Sequence, residues 1–204
     1  MRPVELEGCV TRGGYASWAT ISECGKYRYA LGRAWDDEDD SRSIFSIIML
    51  NPSTAHESID DPTIRKCIHF AKQEGCGSLY VRNLFAWRAT DPAELRHVAD
   101  PVGPLNLQVL ERGIGFGLRV AAWGQLGPKW LRDLAKRPIG SVHIREATHV
   151  LALTDRGYDR SSHFADSRTR QPRHPLYLPN ATRAIRWSDA IEDAQHKSDA
   201  GRHE

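Results

Sequence analysis

The sequence predicts an α/β fold, a three-layer sandwich in which helices cover both faces of a central, mostly parallel sheet. Two largely apolar runs, residues 44–50 and 79–85, have the length and composition of strands buried on both faces. Between them, apolar residues recur at helical spacing over residues 64–71. Strands that alternate with helices in this way are typical of parallel sheets flanked by helices.

The segment before the first apolar run is less informative. Residues 1–25 predict an irregular segment with a turn at Gly13-Gly14, and residues 26–31 (KYRYAL) predict a strand. The acidic run at residues 36–40 is most simply a solvated loop, since contiguous charges seldom converge on one ion. A metal-binding carboxylate cluster is the alternative.

Two aspartate–proline pairs mark the starts of helices. Asp61 is placed to cap a helix that begins at Pro62 and ends before Gly75. Asp91-Pro92 opens a second helix in the same way.

Further elements follow from the same periodicities. Helices are predicted over residues 103–113 and 128–136, and strands over residues 119–123 and 149–153. Residues 155–173 form an Arg-rich loop in this prediction, residues 174–178 a short extended segment, and residues 188–204 a polar tail without fixed structure. We therefore expect residues 1–187 to form a single domain.

Composition excludes several classes of protein. The chain of 204 residues is long enough for a substantial core, and its net charge of +2 does not by itself require a nucleic-acid partner. The four cysteines show no C-x-x-C spacing, so we expect reduced thiols and no metal or other cofactor. No signal peptide or apolar run of about 18 residues is present, which predicts a cytoplasmic protein without membrane contact, and we expect a monomer.

Polar residues follow several of the predicted strands. The run at residues 44–50 stops at Asn51-Pro52, Asn83 lies near the end of the next strand, and Trp123-Gly124 follows another. Ligands of open α/β sheets bind beyond the carboxyl ends of the strands, so we expect these residues to converge on one site. For Asn51-Pro52 alone, an ordinary strand-ending turn is the alternative.

Ordered motifs carry a resemblance to known families. Over about residues 27–180 the chain resembles a bacterial and phage family catalogued as a domain of unknown function, DUF1643, through the segments MLNPSTA, DDPTIRKC, NLFAWRATDP, AAWG and RHPLYLP. More distantly, four motifs resemble the uracil-DNA glycosylase superfamily in order and chemistry: Asn51-Pro52, Asn83, Trp123-Gly124 and His174-Pro175-Leu176. This resemblance implies a glycosylase-like fold with a mainly parallel central sheet. The chain departs from it by lacking a Ser in the last motif, by an insertion-like stretch at 157–171, and by Asn in place of Asp in the first motif.

The glycosylase resemblance implies hydrolysis of the N-glycosidic bond of a flipped DNA base, which leaves an abasic site. His174 is then the donor that stabilises the leaving base. Asn51 can hold the attacking water through its side-chain carbonyl, but an amide cannot accept a proton as a carboxylate does. Asp60 is our candidate for that role, because Asp61 is needed as the helix cap. A plain surface acid is the alternative for Asp60.

The same resemblance suggests how the base is recognised. Asn83 has both a donor and an acceptor for a pyrimidine edge, and an ordinary turn asparagine is the equal alternative. We expect Phe85 and Trp123 to add substrate contacts. Ser53 stands where the strictly uracil-specific enzymes carry a Tyr that blocks C5 substituents. The predicted substrate is therefore a C5-modified pyrimidine, such as hydroxymethylated or glucosylated cytosine in phage DNA, and the predicted role is antiphage defence.

Basic residues near His174 predict contact with DNA. Residues 155–173 hold five arginines against three acids, and we expect Arg168, Arg170 and Arg173 to contact phosphates. Leu176 is a candidate wedge for the vacated base stack, or else a core residue. A solvated loop is the alternative for the arginines. Two other functions stay open: a non-catalytic module that recognises a modified base or nucleotide, and a hydrolase of free nucleosides or nucleotides.

Overall fold

A computed structural model of the chain describes residues 5–14, 16–35, 44–111, 117–124, 149–152 and 172–186. Within them, eight strands form one mixed sheet in the order β1-β2-β3-β5-β4-β6-β7-β8. The strands are β1 (Cys9–Gly14), β2 (Ser17–Ser22), β3 (Arg28–Ala34), β4 (Ile44–Met49), β5 (Ser78–Asn83), β6 (Leu118–Ala121), β7 (His149–Ala152) and β8 (Arg183–Arg186).

The middle of the sheet is parallel. β4 pairs in parallel with β5 on one side and with β6 on the other, and β6 pairs in parallel with β7. The other described neighbours, at both edges of the sheet, are antiparallel. The α/β class is as predicted, but the predicted mostly parallel sheet is limited to these four central strands. Because the chain passes from β4 to β5 on one side and later to β6 on the other, a crevice is left at the carboxyl ends of β4 and β6.

The N-terminal strands supply much of the antiparallel pairing, and they correct the prediction that residues 1–25 are irregular. β1 and β2 form a hairpin, and β2 continues the pairing onto β3. The sequence does not reveal them because β1 is largely exposed and ends in Gly13-Gly14, while β2 is rich in Ser, Ala and Thr. Neither segment shows the apolar alternation that marks a strand.

Helix α1 (Pro62–Gln73) begins and ends where the sequence predicts. Oδ1 of Asp61 accepts the N–H of Ile64 at 2.8 Å, and Gly75 has a φ of +72° just beyond the end. The buried side of α1 packs on one face of the sheet, in a core that includes Ile64, Cys67, Phe70, Ala71, Phe45, Ile47, Leu79 and Val81. Burial raises the pKa of the Cys67 thiol, so this cysteine behaves as an apolar core residue.

Helix α2 (Asn106–Glu111) covers the opposite face. Its Val109 packs with Trp18, Tyr29 and Tyr80. Tyr80 alternates along β5 with Leu79 and Val81, which face α1, so the two helices lie on opposite sides of the sheet. The described residues therefore form three layers, and α2 begins three residues later than the predicted helix over residues 103–113.

Two 3-10 helices complete the described elements. The first, Pro92–His97, begins with a capping box between Asp91 and Glu94. The second, Pro175–Tyr177, replaces the extended segment predicted over residues 174–178, because the side chain of His174 caps it. The predicted helix at 128–136, the acidic run at 36–40 and the tail at 188–204 lie outside the described residues. In the part of the chain that the structure describes, no helix is long and apolar enough to cross a membrane.

Candidate functional site

A cavity of about 510 Å³ opens at the crevice between the carboxyl ends of β4 and β6. The turn after β4, the first turn of α1, the end of β6 and the 3-10 helix Pro175–Tyr177 all contribute to its walls. Its polar and charged lining includes Arg28, Asn51, Ser53, Thr54, Asp61 and His174. The site thus lies at the end of β4, from which the chain leads first to β5 on one side and later to β6 on the other. Such a point is the usual place for a ligand in an open α/β sheet.

Asn51 is fixed at the start of the turn after β4. Its Nδ2 donates to the carbonyl of Ala89 at 2.8 Å and to that of Pro52 at 3.2 Å, and the N–H of Ala89 donates back to Pro52 at 2.9 Å. Because both partners of Nδ2 are acceptors, the orientation of the amide is determined. Oδ1 of Asn51 accepts no hydrogen bond from the described residues, so it remains available to a ligand or water in the cavity.

His174 lies at the start of the second 3-10 helix. Its Nδ1 accepts the N–H of Leu176 at 3.4 Å, which assigns the proton of the neutral ring to Nε2. Burial lowers the pKa of His174, and the nearby carboxylate of Asp61 opposes that shift. The imidazole is therefore neutral near pH 7 and has one N–H left to donate.

Gly124 allows the end of β6 to approach His174 closely. Its φ is +80°, and a Cβ at this position would lie 3.3 Å from the Cβ of His174. A residue larger than glycine would be strained here for two reasons: a side chain disfavours a positive φ, and its Cβ would be in tight contact with His174. Gly124 thus lets the chain after β6 lie close against His174.

The two neighbouring aspartates have different environments. Asp60 is not part of the cavity lining, and its Oδ1 accepts Nε of Arg33 at 2.9 Å in an ion pair. Asp61 lines the cavity while its Oδ1 caps α1. Of the two, the structure brings Asp61 to the other candidate residues, whereas the sequence favoured Asp60. A capping carboxylate still has a second oxygen, so one carboxylate can serve both the helix and the site.

Arg28 is a cavity residue that the sequence analysis did not identify. It is 2 % exposed, and it donates from one terminal nitrogen to the carbonyl of Ala55 at 2.7 Å and from the other to Oδ1 of Asn83 at 3.4 Å. Burial lowers the pKa of Arg28 to about 10, against the opposing effect of Asp61. The guanidinium therefore stays protonated at neutral pH. The signal available in the sequence was a basic residue between two tyrosines in a strand.

Asn83 and Phe85, which were expected to contact substrate, do not line the cavity. Asn83 is 1 % exposed and Phe85 is fully buried. Asn83 lies within β5, where it pairs with Met49, and its buried side chain accepts a hydrogen bond from Arg28. Its Nδ2 has no hydrogen-bond partner among the described residues.

The remaining predicted residues lie at the mouth of the cavity or outside the described residues. Ser53, Trp123 and Leu176 line the cavity, as expected, and Leu176 is 38 % exposed. Tyr177 also lines it and is 74 % exposed, with its ring 5.8 Å from that of His174. Arg173 is half-buried next to His174. Arg168 and Arg170, with most of the Arg-rich loop, lie outside the described residues.

The described residues contain no group of three or more His, Cys, Asp or Glu side chains arranged to hold a metal ion. All four cysteines belong to this part of the chain, and they form no disulfide. The side chains that line the cavity offer an amide, an imidazole, a carboxylate, a guanidinium and several hydroxyl groups.

Comparison with known proteins gives a family without an activity. No curated protein and no solved structure matches the chain. A family profile matches residues 28–176, more than half of the 204 residues, and the match includes Arg28, Asn51, Asp61 and His174. The chain therefore belongs to the family described as "Protein of unknown function (DUF1643)".

Proposed function

We propose that the protein is a DNA glycosylase that hydrolyses the N-glycosidic bond of a flipped, C5-modified pyrimidine. One observation carries the proposal. The amide of Asn51, a neutral imidazole at His174 and the carboxylate of Asp61 come from three separate elements and line the same cavity. These are the acceptor, donor and base that such a hydrolysis needs.

Each group has a part in the reaction. The bond between the sugar C1′ and the base nitrogen breaks, and the base leaves with the electron pair. Nε2–H of His174 donates to the base oxygen on which negative charge collects, and the positive charge of Arg28 favours the same anion. Oδ1 of Asn51 orients a water towards C1′. The water oxygen bonds to C1′, one proton of the water passes to Asp61 and from there to solvent, and solvent protonates the departing base anion.

Residues at the mouth of the cavity support the proposed substrate class. Ser53 is small and lines the cavity, so a substituent at C5 of a pyrimidine meets no bulky side chain at this position. Leu176 and Tyr177 project apolar and aromatic surface at the rim, which suits contact with the bases that flank a flipped nucleotide. An enzyme with this preference would act on phage DNA that carries hydroxymethylated or glucosylated cytosine, as antiphage defence.

The proposal is tested with duplex and single-stranded oligonucleotides that carry one uracil, hydroxymethylcytosine, glucosylated hydroxymethylcytosine or deoxyinosine. Alkali converts each abasic site into a strand break. We expect breaks at the C5-modified cytosines and a rate at least about 100-fold lower in His174→Ala, the usual consequence of losing one stabilising donor. His97→Ala is the matched control, because His97 is exposed and does not line the cavity.

The alternative function is a module that recognises a modified base without cleaving it. It is favoured by Asn51, because an amide at this position cannot itself accept the proton of the water. Binding of the modified oligonucleotides with no alkali-sensitive product would establish this alternative and refute the glycosylase. Excision of uracil alone, with modified cytosines left intact, would refute the proposed substrate.

A further inference from the structure

Arg28 is a buried, positively charged residue in the lining of the cavity. A guanidinium has five N–H donors, and hydrogen bonds to described residues use two of them, to Ala55 and to Asn83. The residue is 2 % exposed and nevertheless belongs to the cavity lining. A buried cation at this position presents hydrogen-bond donors to whatever enters the cavity, and it presents no acceptor.

Asn83 supports Arg28 and does not reach the ligand itself. Its side chain is excluded from the cavity, and its Oδ1 accepts a hydrogen bond from Arg28. The main-chain carbonyl of Asn83 is held in turn by Nδ2 of Asn106 at 3.0 Å. Asn83 therefore contacts the guanidinium without itself lining the cavity.

We propose that Arg28 is the residue that reads the base, that Asn83 positions it, and that the cavity selects cytosine-type over uracil-type pyrimidines. The inference rests on the proposed function, since it takes the ligand to be a pyrimidine base. It replaces the amide reader that the sequence predicted with a reader that can only donate.

The selectivity follows from the hydrogen-bonding edge of each base. Cytosine presents two adjacent acceptors, N3 and O2, which match two parallel N–H groups of a guanidinium. Uracil and thymine carry a hydrogen on N3, so one donor of Arg28 would face another donor. Guanine offers O6 and N7 as a similar acceptor pair, so Arg28 separates cytosine from uracil and does not separate it from guanine.

The test compares two nucleosides that differ only at the reading edge, those of 5-hydroxymethylcytosine and 5-hydroxymethyluracil. Both carry a 2′-fluorine, which slows loss of the base, and each is titrated into the full chain by NMR. We expect the cytosine form to bind about tenfold or more tightly, the usual discrimination of a bidentate contact. Equal binding, binding that favours uracil, or no binding of either nucleoside would overturn the inference.

Two variants separate a reading role from a structural one. Arg28→Gln replaces the donor fork with an amide that can also accept, and we expect it to lose or reverse the preference for cytosine. Arg82→Gln is the matched control, because Arg82 is 1 % exposed on β5, where it bonds Leu110 and Ser46 and does not line the cavity. A folded Arg28→Gln that keeps the wild-type preference would overturn the inference, and so would an equal loss of preference in Arg82→Gln.

The outcome is independent of whether the protein cleaves DNA. A preference for the cytosine form without abasic sites in the oligonucleotide assay would support the inference and refute the glycosylase. Abasic sites with no distinction between the two nucleosides would support the glycosylase and refute the inference. If Arg28→Gln does not fold, the wild-type titration alone still decides.

Discussion

Asn51 and Asn83 occupy similar places at the carboxyl ends of the neighbouring parallel strands β4 and β5, but only Asn51 lines the cavity. Asn83 is still within its strand and pairs with Met49, whereas Asn51 lies two residues beyond Met49, in the turn. With this difference in register, one asparagine lines the cavity and the other contacts the buried Arg28. An asparagine near the end of a strand can therefore line a cavity or support a buried side chain. Which of the two it does depends on whether it is still paired with the neighbouring strand.

The chain after β5 explains why Asn83 is enclosed. The N–H groups of Leu84 and Phe85 donate to carbonyls at the end of β4, both at 2.9 Å, so the backbone continues beside β4 for two more residues. Nδ2 of Asn106 binds the carbonyls of Asn83 and Leu84 from the α2 side. We therefore expect substitution of Asn51 to change activity and substitution of Asn83 to change stability.

The largest effect that separates the two asparagines is on base excision. Asn51→Ala removes the oxygen that orients the water, and we expect the excision rate to fall by at least about 100-fold. Its free energy of unfolding should fall by only about 1 kcal/mol, the usual worth of the lost hydrogen bond to Ala89. Single-turnover kinetics and urea unfolding measure the two effects. A variant with the wild-type rate would remove Asn51 from the mechanism.

The second effect is on stability. Asn83→Ala removes an acceptor from the buried guanidinium of Arg28, and we expect the free energy of unfolding to fall by about 2 to 3 kcal/mol. For a chain of this size that lowers the melting temperature by about 5 to 10 °C. Calorimetry of Asn83→Ala and of Asn51→Ala compares the loss of stability in the two variants. Equal destabilisation of both variants would contradict the distinction between a support and a binding residue.

Local signals in the sequence predicted the parts of the fold that local chemistry determines. The caps of α1 at Asp61 and Gly75, and the buried runs of β4 and β5, needed only neighbouring residues to be identified. The β1–β2 hairpin was not predictable, because its largely exposed first strand is fixed by pairing across the sheet. The antiparallel edges of the sheet are likewise a property of non-local pairing.

The residues of the candidate site likewise divide into those that local sequence indicates and those that depend on distant parts of the chain. Asn51 and Trp123 were predicted because each follows a strand, and such ends converge in an open sheet. Ser53 and His174 were predicted from the resemblance to the glycosylase superfamily. Arg28 was missed because the alternation in KYRYAL predicts an outward face for the basic residues, whereas tertiary packing buries it. The choice between Asp60 and Asp61 depended on Arg33, which is distant in sequence and pairs with Asp60.

The end of a third strand, β6, extends the comparison between the ends of β4 and β5. Gly124, after β6, and Gly75, after α1, both have a positive φ, but a Cβ would touch His174 only at Gly124. Alanine at either position should lower the free energy of unfolding by about 1 kcal/mol through backbone strain. We expect Gly124→Ala to lower the excision rate as well, by about tenfold, because small misplacements of catalytic groups are costly. Equal rates in the two variants would mean that this contact does not position the imidazole.

The smallest effect is the response of stability to pH at His174. Burial lowers its pKa in the folded protein, so below the ordinary histidine pKa of about 6.5 the unfolded chain binds more protons than the folded one. The contribution of His174 to stability is therefore full above that pKa and declines as pH falls through it towards the folded pKa. Urea unfolding of the wild type and His174→Gln between about pH 8 and pH 5 isolates this contribution, because the other titrating groups are shared. We expect the difference in unfolding free energy to shift against the wild type on acidification. A shift in its favour would mean that the attraction of Asp61 outweighs burial, and that the cavity holds an imidazolium instead of the neutral donor of the proposed mechanism.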